Sequence, residues 1–233
     1  MKKMFLIPVL FSLIISCSPV YVPNAINSPS LEEKGQINAG LQFGTTGLDI
    51  QTACAASNHA GVMLNGSFPL KDESEKDRKH EHTFGEIGIG YWGPFADNAS
   101  SFDTFIGFGI GKSLSENTLS FISDEETEVT GYYKRWFIQT DCSISRAFFR
   151  AGISARAVYV DFYRFKANSI SYDKTQSDFF FEPAIFTRME HAYFFTQVQV
   201  GLCIPINQES VINYEPIFFN AGFHVKLNAL GNE

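Results

Sequence analysis

Strand-like segments recur from residue 35 almost to the end of the chain, and no stretch shows a helical 3.6-residue repeat. They fall at about 35–44, 46–56, 59–69, 82–93, 102–113, 129–143, 145–165, 177–188, 191–205 and 214–228. Most of these ten are long enough to cross a bilayer when tilted. Residues along a strand point alternately to its two faces, so polarity within each segment predicts which face is which. In the seventh segment Arg150, Gly152, Ser154 and Arg156 alternate with Phe149, Ala151, Ile153, Ala155 and Ala157. In the ninth, Gln197 and Gln199 oppose Thr196, Val198, Val200 and Leu202. In the last, Asn220, Gly222, His224 and Lys226 alternate with Phe219, Ala221, Phe223, Val225 and Leu227. A polar face and an apolar face on these strands fit a barrel that is polar inside and apolar outside.

The links between segments carry a second pattern. Compact turns are predicted at Ser57-Asn58, between Phe95 and Ser101, at Ser143-Ile144 and at Met189-Glu190. They alternate with longer polar links at 71–81, 114–128, 166–176 and 207–213, after a short first hairpin at Gly44-Thr45-Thr46-Gly47. A membrane barrel with both termini in the periplasm needs short inside turns and long outside loops in this order. Aromatics fall near strand ends, in the groups Tyr91, Trp92 and Phe95; Tyr132, Tyr133 and Trp136; Tyr159, Tyr163 and Phe165; and Tyr193 and Phe194. Rings of this kind prefer the headgroup level, so interfacial girdles are expected. Aromatic content is 15% with 24 Phe, yet no stretch after residue 17 is apolar enough for a spanning helix. A net charge of −7 predicts no nucleic-acid surface.

The polar faces would enclose Asp49, Gln51, Glu86, Arg150, Arg156, Glu182, Arg188, Gln197, Gln199, His224 and Lys226. Unpaired buried charge is costly, so these side chains are expected to pair and fill the interior, with a narrow pore or gate as the functional alternative. Cys54, Cys142 and Cys203 stand singly, without ligand-spaced histidines, and read as small apolar residues rather than a zinc or disulfide framework; no cofactor is predicted. His80 and His82 read as a solvated loop beside Glu81, and His59 and His191 as turn residues. His224 alone could face a serine such as Ser154, and no G-x-S-x-G elbow is present. The chain is therefore not expected to be an enzyme, although a lipid acyl hydrolase or transferase is the catalytic alternative.

The chain opens Met1-Lys2-Lys3, runs apolar from Met4 to Ile15 and reaches Ser16-Cys17, the order of a secretory signal peptide. Ile14-Ile15-Ser16-Cys17 resembles the lipobox of bacterial lipoproteins. That resemblance implies cleavage before Cys17, acylation of its sulfur and passage through the lipoprotein sorting machinery. Residues 1–16 are then the signal peptide, and 17–34, with Pro19, Pro23 and Pro29, an extended tether. Residues 35–228 form the barrel and 229–233 a short tail. A lipid on Cys17 in the periplasmic leaflet would lie on the short-turn side. Asn220-Ala221-Gly222-Phe223-His224-Val225-Lys226-Leu227 is similar to the C-terminal signal read by the barrel-assembly machinery, without its usual terminal aromatic.

Tyr21-Val22-Pro23-Asn24, Gly47-Leu48-Asp49-Ile50-Gln51, Leu64-Asn65-Gly66-Ser67-Phe68 and Gly85-Glu86-Ile87-Gly88-Ile89-Gly90-Tyr91 carry a wider resemblance. Over nearly its whole length the chain resembles the small outer-membrane β-barrel lipoproteins of bacteria. The resemblance implies an all-β, antiparallel up-and-down transmembrane barrel in contact with outer-membrane lipids. Its role would be structural, surface-interacting or that of a narrow pore. A lipid-tethered periplasmic barrel binding an apolar ligand, as lipocalins do, is the soluble alternative; Gly90-Tyr91-Trp92 is similar to the lipocalin Gly-x-Trp. Surface binding through the outer links, such as the acidic run 123–128, is a third reading.

Overall fold

The computed structural model describes residues 19–70, 80–95, 97–116, 128–167, 170–172, 175–207 and 212–228. Cys17, the leader and the C-terminal tail lie outside these residues, as do the central parts of the links around 71–79 and 117–127. Ten long strands make the wall: β1 (Gln36–Gly44), β2 (Gly47–Ala55), β3 (Ala60–Phe68), β4 (His80–Phe95), β5 (Asp97–Glu116), β6 (Glu128–Arg146), β7 (Phe149–Ala167), β9 (Gln176–Glu190), β10 (Phe194–Leu202) and β12 (Ile217–Asn228). Two short strands, β8 (Ile170–Tyr172) and β11 (Ile204–Pro205), extend the hairpins that follow β7 and β10.

Each long strand pairs antiparallel with the next, β7 pairs with β9, and β12 returns to β1 through nine registered residue pairs from Gln36↔Asn228 to Gly44↔Asn220. The sheet has no open long edge, which is what a wall without solvent to satisfy its backbone requires. The reversals at 56–59, 147–148 and 191–193 and the adjoining ends of β4 and β5 gather at one rim, together with the start of β1 and the end of β12. The hairpin Thr45-Thr46 and the strand ends that flank the links 69–79, 117–127, 168–175 and 203–216 gather at the other. The first hairpin needs glycine at Gly47, whose φ is +96° and where a Cβ would meet the Phe68 carbonyl oxygen at 2.4 Å.

Several turn positions differ from the sequence reading. The wall continues past Ser143, whose hydroxyl lies 2.7 Å from that of Ser101, and β6 reverses only where Ala147 takes a left-handed φ of 54°. Likewise β9 runs through Met189 and Glu190 and turns over 191–193.

The alternation is inverted relative to a soluble protein. Leu64, Ile153 and Ile185 are 60%, 61% and 62% exposed, and with Ile87, Ile106, Ile110, Ile138 and Phe219 they form an apolar outer band. Arginine, glutamine and aspartate face inward and are buried. Such a band is far beyond the scattered apolar residues of a soluble surface and matches a lipid-facing wall. The outer face also carries an aromatic row, Phe108, Trp136, Tyr159 and Phe179, with successive ring centroids 5.2, 5.7 and 4.7 Å apart. The expected girdles are only partly outward. Tyr91, Trp136, Tyr163, Tyr193 and Phe194 face out, whereas Trp92, Tyr133 and Phe165 are buried inside. Trp92 occupies the inward position beside outward Tyr91, and there its indole nitrogen donates to the Ala60 carbonyl at 3.2 Å.

Candidate functional site

The lumen is occupied by the chain itself. Residues 20–31 are buried throughout and run inside the barrel, in place of a tether beyond its wall. The segment begins at the long-link rim, where Tyr21 forms a parallel bridge with Tyr214. There the amides of Val20 and Tyr21 both donate to the Asn213 carbonyl at 2.9 Å, and Glu215 N–H donates to the Tyr21 carbonyl at 2.9 Å. It ends at the short-turn rim, where Glu32 pairs with Arg150 and Gly35, with φ 84°, starts the reversal into β1. The proline-rich, polar composition that suggests a free linker serves here to keep the segment extended within a polar wall. Tyr21, four residues beyond Cys17, stands at the rim opposite the short turns, and Cys17 itself lies outside the described residues.

Inside a barrel every backbone polar group needs a partner, and the wall supplies them. Ala25 N–H donates to Asp49 Oδ2 (3.0 Å) and Gln51 Nε2 donates to the Ala25 carbonyl (2.8 Å). Gln199 brackets Ile26 in the same way, accepting from its N–H at 2.8 Å and donating to its carbonyl at 3.1 Å. Lower down, Gln139 donates to the Asn27 carbonyl, Arg188 to the Ser28 carbonyl, and Ser30 N–H to Asp103 Oδ2 at 2.9 Å. The Ser28 and Ser154 hydroxyls lie 2.6 Å apart, and Asn27 Nδ2 donates to Asn65 Oδ1 at 2.7 Å. Glutamine and asparagine suit this task because each offers both donor and acceptor.

Three tiers of side chains surround the segment. At the long-link mouth Tyr21 stacks on Phe180 with centroids 4.8 Å apart and meets Tyr133 edge-on at 6.2 Å, while Phe84, Phe162, Phe165 and Tyr214 continue the aromatic cluster. Glycines on the wall admit the inward rings; a Cβ on Gly111 would lie 2.3 Å from the Tyr133 ring. Below this, Arg135 pairs with Glu86, and Arg156 with Glu182 at 2.6 Å and Glu86 at 3.7 Å. The Tyr21 hydroxyl donates to Glu182 Oε1 at 2.7 Å, and Arg156 Nη2 donates to the Asn24 carbonyl at 3.0 Å. At the short-turn mouth Arg150 holds Glu32 and Glu190, the latter at 2.9 Å, and Lys226 reaches Glu190 at 3.4 Å. Arg188 stands between these tiers. It donates to Gln197 Oε1 at 2.6 Å and covers the rings of Phe195 and Phe186 at 4.4 and 4.9 Å.

All eight wall residues expected in the polar network (Asp49, Glu86, Arg150, Arg156, Glu182, Arg188, His224 and Lys226) point inward, and Lys226 alone keeps appreciable exposure, at 17%. Arg135, Asp103, Asp141 and Gln139 belong to the same network, beyond the residues that the sequence reading places in it. The signal was present: Tyr133, Arg135, Phe137, Gln139 and Asp141 share one face of β6, opposite Lys134, Trp136 and Ile138. Two histidines depart from expectation. His82 is buried within β4, not in a solvated loop, and its Nε2 lies 2.8 Å from the Ser67 hydroxyl. His224 stacks on Phe195 at 4.5 Å, while the Ser154 hydroxyl is engaged by Ser28. Cys54 and Cys142 are half-buried on strands and Cys203 is buried beyond β10; all three are free thiols. A hollow of about 180 Å³ opens beside Arg150, Ser101 and Trp92 at the short-turn end, and an apolar one of about 450 Å³ lies on the outer face against Val62, Ile89 and Ile106.

No protein-family model and no curated protein matches the chain. Among solved structures it is similar to CarO2 of Acinetobacter baumannii, at 10% identity over 84% of this chain and 100% of that one, with a TM-score of 0.27. It is also similar to OmpT, an outer membrane protein of Vibrio cholerae, in its trimer form, at 9% identity over 83% and 98%, with a TM-score of 0.21. Likeness this slight says nothing of activity, and the closed ten-strand barrel rests on its own strand pairing.

Proposed function

We propose that this chain is an outer-membrane β-barrel lipoprotein, acylated at Cys17, that acts as a closed, non-catalytic membrane scaffold presenting its long-link face to partners. The observation that carries the reading is the lumen, filled from rim to rim by residues 20–31 and their ion-paired wall. An open pore needs a continuous polar void, whereas here buried side chains and main chain take that space. The apolar outer band supports membrane residence over a soluble ligand-binding barrel, whose apolar face would point inward. The Ser67–His82 pair is buried on the inward side of the wall, away from the lipid face where acyl chains would approach. Barrel-assembly and lipoprotein-sorting machineries are the partners this reading requires during biogenesis.

Planar-bilayer recording of the purified protein tests it. The native chain is expected to give no steady conductance, and a variant lacking residues 20–31 to conduct or to lose its heat-shifted gel mobility. Stable single-channel steps from the native chain would overturn the closed-scaffold reading.

A further inference from the structure

The amides of Val20 and Tyr21 are fixed to Asn213 at the long-link rim, and Tyr21 is bridged to Tyr214. At the opposite rim Gly35 N–H donates to the Ala55 carbonyl at 2.9 Å, and Asn228 Nδ2 donates to Glu33 Oε1 at 2.8 Å. The twelve residues between these anchors span at most about 40 Å when extended, enough to cross an apolar band about 25 Å tall. From Val20 back to Cys17 there are only three peptide steps, a reach of about 10 Å. That reach cannot bring Cys17 back through the lumen to the other side.

We propose that the chain threads its own barrel, so that Cys17 lies across the membrane from the start of β1 and the end of β12, and its acyl chains insert in the leaflet at the long-link mouth. With the long links outside, that is the outer leaflet, and the lipid surface it meets is the cell exterior's. The inference rests on the lipoprotein reading above, but the threading itself depends only on residues 20–36. It also sets an order of assembly. An acylated end cannot be drawn through a closed, side-chain-filled lumen, so the plug would be in place before β1 and β12 pair.

Three labels in one full-length chain test the topology: Pro19→Cys, in a background with Cys54, Cys142 and Cys203 replaced by alanine, and epitope tags within 117–127 and after Glu233. Intact and permeabilised cells are probed with a membrane-impermeant maleimide and with antibodies. The residue-19 label is expected to react under the same conditions as the 117–127 tag, at least tenfold more strongly on intact cells than the C-terminal tag. The threading is overturned if the residue-19 label partitions with the C-terminal tag, whichever pair faces out. The outer-membrane reading fails separately, if the barrel fractionates away from that membrane while the residue-19 and 117–127 labels still agree. Because Pro19→Cys could disturb processing next to Cys17, a second label is placed at the exposed Lys34 of the opposite rim: Lys34→Cys is expected to react under the same conditions as the C-terminal tag, and reaction together with the 117–127 tag would overturn the threading.

Discussion

Glu182 is fully buried on β9, and three groups converge on it: Arg156 Nε at 2.7 Å, Arg156 Nη2 at 2.6 Å and the Tyr21 hydroxyl at 2.7 Å. Two ions taken out of water are tolerated only when each satisfies the other, so removing one partner leaves a charge with no solvent to answer it. Arg156→Met is therefore expected to destabilise the barrel by about 3–5 kcal/mol. Urea unfolding followed by the fluorescence of Trp92 and Trp136 reads this as a lower midpoint, and the double variant Arg156→Met/Glu182→Leu is expected to regain much of the loss. Tyr21→Phe removes two hydrogen bonds to charged groups, one donated to Glu182 and one accepted from Arg135 Nη1 at 3.1 Å, and is expected to cost at least about 1.5–3 kcal/mol in the same measurement. The plug thus contributes to stability as well as to closure. At this scale the sequence was informative about the wall, because the arginines and glutamates sit on the polar side of an alternating pattern. It was silent about Tyr21 and Asn24, whose partners lie 161 and 111 residues away and leave no local periodicity.

Strands were the most legible part of the chain. The period-2 pattern and the polar links place all ten long strands, since a one-residue slip would turn an entire apolar set into the lumen. Ends were less legible, because Ser143 and Glu190 look like turn residues by type but are held on the wall by inward bonds to Ser101 and Arg150. Aromatics were ambiguous for a physical reason: a ring suits both the headgroup level and the tapering mouth of a lumen. Only register decides that Tyr133 points in and Trp136 out. The outer band makes a depth-dependent prediction. Ile138→Lys, mid-strand on the lipid face of β6, is expected to cost about 2–4 kcal/mol in a bilayer, and Ile144→Lys near the short-turn rim only about 0–1 kcal/mol. Unfolding midpoints in lipid vesicles read the difference. Equal, negligible costs would place both side chains in water.

For the whole molecule, the sequence pattern leads to a barrel with a linker, and the structure is a barrel wrapped around that linker. Linker composition and plug composition coincide, since both call for extended, proline-bearing, polar chain with little charge. What separates them is a handful of apolar residues, Val20, Tyr21, Val22, Ile26 and Leu31, all buried here and wasteful in a solvated tether. Threading ties three properties together: a closed lumen, buried hydrogen bonds shared between plug and wall, and a plug whose Val20–Tyr21 start stands on the far side from the barrel's ends. The most direct measurement joins plug to wall. Ser28 and Ser154 have hydroxyls 2.6 Å apart, close enough for paired cysteines to form a disulfide. In a chain with Cys54, Cys142 and Cys203 replaced by alanine, Ser28→Cys/Ser154→Cys is expected to form it spontaneously under oxidising conditions. Both thiols would then become unreactive and the unreduced chain would migrate faster on a denaturing gel. Two thiols that stay free and freely labelled in the folded barrel would contradict a plug seated in the lumen.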